Sequence, residues 1–340
     1  INVLDPATHK KATETTQQIT FTNGRATITS DTIVLDTLVL ADKVEGADYS
    51  VDYDWSTGQV IIDSIGETPI SGQISATFDE VDAAKVTATE IIGGVTAAGV
   101  YTGLGCVGLV YPELNLIPNL IAAPGWSDKP AVYAAMISAG TKINGHWDAF
   151  VAADLPLEDS AAAVGTAEAG EARVGGAAID TIEKAVQWAG DNGYNSERSK
   201  IFWPMAALSS GGNAHGSTLY AWRQMLVDET HDGVPMETAS NKAVPISKQY
   251  FGASSTNRGF DQMRANDLNA KGISTYVYFG GQWVLWGGHT AAYKFGAVHD
   301  KRAIFDNSIR TMMHITNSFQ QEWALTIDEP MTLSLADTIR

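Results

Sequence analysis

The most explicit chemical motif in this chain is a G-x-G-x-x-G run at residues 103–108. Glycines at this spacing bind a dinucleotide when an apolar strand precedes them, a helix of several turns follows, and an acid lies about 20 residues further on. Asp128 has that spacing. Residues 96–102, however, make a weak strand, and Pro112 ends any helix within about a turn. We therefore expect the run to be a structural turn without a bound cofactor.

A second run contains Asp52, Asp54, Ser56 and Asp63, which places oxygen ligands at positions 1, 3, 5 and 12 of a calcium-binding loop. That loop requires glycine at its sixth position, where this chain has Thr57, and it requires helices on both sides. Alternating apolar and polar residues flank the run instead, which predicts a hairpin with solvated carboxylates and no metal.

Candidates for nucleophilic or zinc chemistry are few. The seven histidines contain no H-E-x-x-H pair, and one cysteine, Cys106, cannot build a thiolate zinc site or an intrachain disulfide. His215 and Ser217 are the candidate base and nucleophile, but no G-x-S-x-G elbow accompanies them. The Ser217 hydroxyl is predicted to cap the helix that follows it. We predict no catalytic, cofactor or metal-binding residue, and a hydrolytic enzyme that uses this pair stays the alternative.

The charge balance restricts the partners of the chain. Lys and Arg number 22 against 39 Asp and Glu, which gives a formal net charge of −17. Such a chain is repelled by phosphate backbones and by anionic lipid, so we expect neither nucleic acid nor membrane as a partner. Residues 91–112 carry no charge, but their six glycines disfavour a membrane-spanning helix.

The sequence divides into three segments with different patterns of apolar and polar residues, and these segments must position the candidate residues described above. Residues 1–87 alternate apolar and polar side chains around turns such as Asn23-Gly24, which predicts a small β-sandwich or barrel domain. Residues 88–258 alternate short apolar strands with helices, which predicts an α/β core domain with a mostly parallel sheet. Residues 259–340 predict the start of an α+β C-terminal assembly domain, which we expect to be truncated.

The last segment contains a long predicted helix at residues 303–323. Its apolar stripe consists of Phe305, Ile309, Met312, Met313 and Trp323. We predict an assembly surface here, in which Arg302 and Arg310 on this helix meet an acidic partner. The alternative is that both arginines only solvate the outer face of the helix.

Several stretches of the sequence carry a resemblance to a known family. They are residues 91–94 with 101–104 (IIGG and YTGL), 118–125 (PNLIAAPG), 232–242 (DGVPMETASNK), and 266–273 with 286–290 (NDLNAKGI and WGGHT). In this order, they resemble the core and C-terminal domains of contractile phage tail sheath proteins. Gly288 and His289 stand where that family usually shows a basic or amide residue.

The resemblance implies a structural subunit that is not an enzyme, assembles with copies of itself into a helical tube around the tail tube, and contracts when the subunits repack. It implies an outer β domain, a three-layer α/β core of subtilisin-like topology, and an inner C-terminal domain. The implied partners are other sheath subunits, the tail tube protein, the baseplate and the tail terminator. The implied location is the tail sheath of a virion, assembled in the cytoplasm of the bacterial host. A bacteriocin or secretion device built from the same module is the alternative.

Overall fold

The computed structural model describes residues 3–158, 177–297 and 300–324. The chain forms two compact units, Ile1–Glu90 and Ile91–Arg340, which we call the N-terminal unit and the C-terminal unit. Both α and β structure are present, arranged in several sheets, which confirms the mixed fold class predicted from the sequence. The further boundary near residue 258 stays a prediction.

The N-terminal unit is built from strands. They are β1 (Thr15–Phe21), β2 (Arg25–Thr29), β3 (Val39–Leu40), β4 (Tyr49–Asp54), β5 (Gln59–Ser64) and β6 (Gly72–Phe78). One antiparallel sheet has the order β1-β6-β3, and a second has the order β2-β5-β4. Asn23-Gly24 forms the predicted turn between β1 and β2, with positive φ at both residues, but the predicted hairpin is limited to the bridge between Thr22 and Arg25, because the two strands continue into different sheets. Short 3-10 turns cover Leu35–Thr37 and Ala83–Lys85.

Both sheets of the N-terminal unit contribute side chains to one apolar core. The buried residues of this core are Ile19, Phe21, Ala26, Ile28, Leu38, Leu40, Tyr49, Val60, Ile62, Ile70, Ala76 and Phe78. The Tyr49 hydroxyl donates to the Leu38 carbonyl (3.2 Å) and accepts from the Leu40 amide (3.3 Å), so this buried polar atom is paired. The alternation of apolar and polar residues read from the sequence therefore places the apolar side chains inside the unit.

The C-terminal unit contains ten further strands. They are β7 (Gly94–Val95), β8 (Tyr101–Thr102), β9 (Leu120–Ala122), β10 (Phe150–Asp154), β11 (Ser199–Phe202), β12 (Met205–Leu208), β13 (Asn213–Ala214), β14 (Ile246–Tyr250), β15 (Ile273–Phe279) and β16 (Gln282–Trp286). The count refers to the described residues alone. Strands β7 and β8 pair with each other, and β13, β12 and β14 form a small antiparallel sheet in that order.

The main sheet of this unit has the order β16-β15-β11-β10-β9. Strands β9, β10, β11 and β15 are parallel, and β16 returns antiparallel to β15. Strand β15 comes from the segment after residue 258 and pairs directly with β11, so one sheet spans the two predicted segments. Strands β9, β10 and β11 are parallel and have helices between them, as the α/β pattern of residues 88–258 predicts, while the bounds of that domain stay a prediction.

Seven α-helices lie within the described residues. They are α1 (Ala88–Ile92), α2 (Val110–Leu114), α3 (Pro130–Ala139), α4 (Ile182–Asp191), α5 (Gly216–Glu229), α6 (Gln262–Asn269) and α7 (Asp306–Glu322). Helix α7 is the long helix predicted near the end of the chain, and a 3-10 turn at Lys301–Ala303 precedes it. Within the described part of the chain, no helix combines the length and the apolar character that crossing a membrane requires.

The G-x-G-x-x-G run forms a 3-10 segment, Gly103–Leu109, after the two-residue strand β8 and before the five-residue helix α2. This is a structural turn, as predicted, rather than the strand, tight turn and long helix of a dinucleotide site. A Cβ atom at Gly105 would lie 2.7 Å from the Gly94 carbonyl oxygen, so glycine is needed there for two backbone segments to approach.

Candidate functional site

The predicted pair His215 and Ser217 lies at the carboxyl end of the parallel sheet. Asp154 is the last residue of β10, and His215 and Gly216 begin helix α5 beside it. Gly216 packs so closely on Phe202 of β11 that a Cβ atom would overlap that side chain. The helix start is thereby held against the strand ends, which brings Ser217 onto the Asp154 carboxylate.

Asp154, rather than His215, binds the Ser217 hydroxyl. The hydroxyl donates to Asp154 Oδ2 (2.5 Å), and the Ser217 amide donates to Asp154 Oδ1 (2.9 Å). Ser127 accepts from the Asp154 amide through its hydroxyl oxygen (3.0 Å). His215 Nδ1 lies 3.8 Å from Asp154 Oδ2 and has no hydrogen-bond partner among the described residues. The prediction that the Ser217 hydroxyl caps α5 is wrong, because His215 occupies the N-cap position and Ser217 lies inside the helix, where its hydroxyl donates a hydrogen bond to Asp154.

This geometry differs from that of a hydrolytic triad. In a triad, the nucleophilic hydroxyl donates to an imidazole, and the imidazole donates to the carboxylate. Here the Ser217 hydroxyl donates directly to Asp154, and Ser217 is fully buried. Burial raises the pKa of Asp154, and the hydrogen bonds from Ser217 offset only part of this effect. The arrangement fastens α5 to β10 and offers no exposed hydroxyl to a substrate.

The run that resembles a calcium loop forms the turn between β4 and β5. The Ser56 and Thr57 hydroxyls donate to the two Asp54 carboxylate oxygens (2.6 and 2.7 Å), and these bonds lower the Asp54 pKa to about 2. Asp63 instead pairs with Arg25 across the strands (2.7 Å). The hairpin prediction is confirmed. Among the described residues, no cluster of three or more His, Cys, Asp or Glu side chains could hold a metal ion.

A second polar cluster, which the sequence did not reveal, surrounds the first residue of α7. Lys200 Nζ lies 2.8 Å from Asp306 Oδ2 and donates to the Gly287 carbonyl (2.5 Å). Tyr220 and Thr238 also donate to Asp306 Oδ2, at 3.2 and 3.1 Å. Lys200 and Asp306 are almost completely buried. Burial lowers the pKa of Lys200, and the Asp306 carboxylate opposes that effect.

The same side of α7 carries two further polar anchors. Arg310 binds Asp228 of α5 through both terminal guanidinium nitrogens, and Gln224 donates to the same Asp228 (2.7 Å). Two turns further along, Asn317 and the Asp148 backbone exchange two hydrogen bonds (2.9 and 2.8 Å). The buried residues of α7 are therefore Asp306, Arg310, Met313 and Asn317. We call these four residues the inner face of α7.

Two of the stretches that carry the family resemblance meet at this helix start. The Ser240 hydroxyl accepts from the Gly287 amide (3.1 Å), and the Asn241 amide donates to the Leu285 carbonyl (2.7 Å). In the same place, Thr290 donates to the Ala303 carbonyl (2.5 Å). The segments 232–242 and 286–290 therefore act together to seat α7 on the sheet.

The two arginines of the predicted assembly surface have different surroundings. Arg302 lies in the 3-10 turn before α7, not on the helix, and it is exposed and paired with Asp300 (2.8 Å). Arg310 lies on the helix but is only 4% exposed and paired with Asp228. Neither arginine lies on the outer face of α7, which corrects the placement we expected for both. Contact of Arg302 with an acidic partner stays a prediction, whereas burial leaves Arg310 inaccessible to one in this chain.

The exposed side of α7 carries three apolar residues among polar ones such as Ser318 and Glu322. Met312, Ile315 and Phe319 are spaced by three and four residues, and they are 49%, 55% and 59% exposed. The predicted apolar stripe is thus divided: Met313 is buried and the neighbouring Met312 is exposed. We call Met312, Ile315 and Phe319 the outer face of α7.

The curated proteins to which this chain is similar in sequence are named as tail sheath proteins. The chain is 27% identical over 360 residues to the tail sheath protein of Burkholderia phage BcepMu, across 100% of this chain and 68% of that protein. It is 26% identical over 266 residues to a candidate prophage major tail sheath protein of Pseudomonas aeruginosa, across 76% of this chain and 59% of that protein. No known family profile matches the chain. The resemblance to tail sheath proteins predicted from the sequence is confirmed.

Three solved structures are similar at low sequence identity. The sheath tail protein of Desulfitobacterium hafniense is 11% identical, with a TM-score of 0.47 over 94% of this chain and 67% of that one. The sheath tail protein of Listeria innocua is also 11% identical, with a TM-score of 0.44 over 95% and 68% of the two chains. A chain of the anti-feeding prophage baseplate is 17% identical, with a TM-score of 0.43 over 69% and 53%.

Proposed function

We propose that this chain is a structural subunit of a contractile phage tail sheath and acts by binding other copies of itself. The observation that carries the proposal is the alignment of its whole length with a tail sheath protein. The chain spans 68% and 59% of the two curated relatives, so the activity of the complete protein is part of the proposal.

The polar clusters support a structural role over catalysis. In the part of the C-terminal unit that the structure describes, each buried carboxylate is bound by donors of a neighbouring element: Asp154 by Ser217, Asp228 by Arg310, and Asp306 by Lys200. Each of these contacts joins two elements of the fold, which supports a positioning role for the three carboxylates. We therefore propose that the chain is not an enzyme.

The finer architecture is also part of the proposal. The parallel strands β9, β10 and β11 and the helices between them support a three-layer core of subtilisin-like topology in residues 88–258, with β15 of the following segment added to the same sheet. The β-rich segment 1–87 would form the outer domain, and residues 259–340 would begin the inner assembly domain. The partners would be further sheath subunits, the tail tube, the baseplate and the terminator, in a sheath assembled in the host cytoplasm.

Self-association tests the proposal in a version of the protein that spans the full length of its curated relatives. Sedimentation velocity over a series of protein concentrations is expected to show a weight-average mass that rises with concentration, and negative-stain microscopy is expected to show rings or helical segments. A full-length version that sediments as a monomer at every attainable concentration would contradict the proposal.

The hydrolytic alternative needs a separate test, because it concerns His215 and Ser217. A fluorophosphonate probe reacts with an activated serine, and Ser217→Ala serves as the matched control. We expect equal background labelling of both proteins, since the Ser217 hydroxyl donates to Asp154 inside the fold. Labelling that disappears in Ser217→Ala would favour the enzyme.

A further inference from the structure

One histidine of the C-terminal unit lies between two aromatic rings beside the start of α7. The His289 imidazole is stacked on Tyr293, with ring centroids 3.8 Å apart, and on Phe305, with centroids 5.4 Å apart. Its Nδ1 atom lies 3.1 Å from the Asn269 carbonyl oxygen at the end of α6. A carbonyl oxygen only accepts hydrogen bonds, so Nδ1 carries the proton of the neutral ring, and a second proton would bind at Nε2.

The backbone at His289 supports the segment that leads into α7. His289 and Phe305 face each other as an antiparallel β-bridge, and Phe305 is the residue immediately before the helix. The neighbouring Gly288 carbonyl accepts from the amide of Asp306, the first residue of α7 (3.0 Å). Phe305 is thus tied to His289 through both its backbone and its ring, so a change at the His289 ring acts directly on the start of α7.

The surroundings of this ring disfavour a second proton. Lys200 of β11 and Asp306 of α7 are the charged side chains that influence it within the described part of the chain. Burial and the Lys200 charge lower the pKa of His289 from the ordinary 6.5, and the Asn269 carbonyl and the Asp306 carboxylate oppose this effect. Asp306 already accepts a hydrogen bond from Lys200 (2.8 Å), which limits what its charge can offer to a second cation.

We propose that His289 is a pH-sensitive contact, which holds the start of α7 while its ring is neutral and releases it in mildly acidic solution. When the segment at Phe305 opens, the ring reaches water and binds a proton with an ordinary pKa of 6.5. The stabilisation that the contact provides is therefore complete above pH 6.5 and is lost as the pH falls from there towards the lower pKa of the closed form. The inference concerns a single copy of the chain and does not depend on the proposed function.

Hydrogen exchange measured by mass spectrometry at pH 7 and pH 5 tests this contact. The rates are expressed as protection factors, so that the pH dependence of the chemical exchange step cancels. In the unmodified chain, we expect the protection of the first turns of α7 to fall by at least about threefold between pH 7 and pH 5. His289→Gln keeps a donor for the Asn269 carbonyl but has no titrating ring, so most of this fall should disappear.

A matched control separates His289 from the other histidines. His314→Gln removes a histidine that lies on α7 itself and has no part in the stack on Phe305, and it is expected to keep the full fall in protection. His289→Phe is a second variant without a titrating group, and it keeps an aromatic ring between Tyr293 and Phe305. It should behave as His289→Gln does.

A histidine NMR titration of the unmodified protein decides the question even where a variant does not fold. The His289 ring is expected to titrate with a midpoint below 6.5. A midpoint at or above 6.5 would overturn the proposal. So would an equal change in α7 protection in the unmodified chain and in a folded His289→Gln or His289→Phe protein, including no change in either. These results leave the proposed sheath function standing, because that function is tested by association of copies.

Discussion

The N-terminal and C-terminal units use aspartates in opposite ways. Asp54 and Asp154 each accept hydrogen bonds from a serine hydroxyl and from the amide of the same serine. The pKa of Asp54 is lowered to about 2 by those bonds, while burial raises the pKa of Asp154. The hydrogen bonds lower the pKa of both carboxyls, but the burial of Asp154 outweighs them, whereas Asp54 stays exposed to water.

This difference extends to the cores of the two units. The N-terminal unit is held by apolar residues of two sheets, and the cations of its ion pairs are exposed: Arg25 pairs with Asp63 at the surface, and Lys10 reaches the buried Asp79 from solvent. The C-terminal unit buries Lys200, Asp306 and Arg310 where α7 meets the sheet. Buried charges contribute little net stability, but removing one partner is costly, so such pairs fix one particular arrangement. We conclude that apolar burial stabilises the N-terminal unit, whereas the buried ion pairs of the C-terminal unit fix the position of α7.

The largest effect is expected from breaking the buried pair. Lys200→Met leaves the Asp306 carboxylate without its cation, and we expect the free energy of unfolding of the C-terminal unit to fall by about 3–5 kcal/mol. Hydrogen exchange measured by mass spectrometry in a urea series would localise the loss. Amides of β11 and α7 should exchange faster, while those of β1–β6 keep their rates.

The double variant Lys200→Met/Asp306→Leu sharpens this result. Replacing both charges by apolar side chains is expected to restore more than half of the loss, because no uncompensated charge then remains. A Lys200→Met protein within about 1 kcal/mol of the unmodified chain would contradict the interpretation of this pair as a buried, position-fixing contact.

The next effect concerns the apolar core of the N-terminal unit. Ile62 of β5 is fully buried, and Ile62→Ala is expected to lower the free energy of unfolding of this unit by about 3 kcal/mol through lost burial and a cavity. Ile65→Ala is the control, since Ile65 is half exposed, and we expect it to cost less than about 0.5 kcal/mol. Equal losses in chemical denaturation of the two variants would show that the core does not stabilise this unit.

The pH dependence of Asp154 gives a smaller effect with a definite sign. Its folded pKa is raised above the ordinary 3.8, so the folded unit binds this proton more tightly than the unfolded chain. The stabilisation is complete below 3.8 and is lost as the pH rises through the folded value. We expect the unfolding free energy of the unmodified protein to fall relative to Asp154→Asn between pH 4 and 7.

His215 and Asp128 also influence the pKa of Asp154 through their charges. The comparison is therefore repeated in proteins that carry His215→Gln, in which the imidazole is absent. Urea unfolding of His215→Gln and His215→Gln/Asp154→Asn at several pH values provides it. The free energy of unfolding of His215→Gln should fall relative to that of His215→Gln/Asp154→Asn as the pH rises. A difference in unfolding free energy that does not change with pH, or that changes in the opposite direction, would contradict the prediction.

The smallest effect is expected at Asp54. Its lowered pKa means that its hydrogen bonds stabilise the β4–β5 turn above pH 3.8 and that this contribution is lost as the pH falls through about 2. A carboxyl-carbon NMR titration should give a midpoint near 2. Ser56→Ala removes the hydroxyl that lowers the Asp54 pKa most, so the titration midpoint should move towards 3.8. A midpoint that does not move would contradict the assignment of the lowered pKa to this hydrogen bond.

Local patterns in the sequence predicted much of the fold. The Asn23-Gly24 turn, the alternating strands of residues 1–87 and the strand–helix alternation after residue 88 depend on neighbours within a few residues. The same holds for the rejection of the glycine run, since Pro112 lies close to it. The sequence identified His215 and Ser217 as a candidate pair. It did not show that Ser217 binds Asp154 instead of His215, because Asp154 lies 63 residues from Ser217 in the sequence.

The sequence by itself determined the strand and helix pattern, the acidic charge and the resemblance to tail sheath proteins, since all of these are properties of residue types and their order. Tertiary structure decided which face of α7 points inward. Lys200 and Asp306 are 106 residues apart, and the gap between Arg310 and Asp228 is 82 residues. The residue periodicity of α7 places Met312 and Met313 in one apolar stripe. Which of the two is buried depends on Lys200 and Asp228, because these distant residues bind Asp306 and Arg310 and so fix the rotation of the helix.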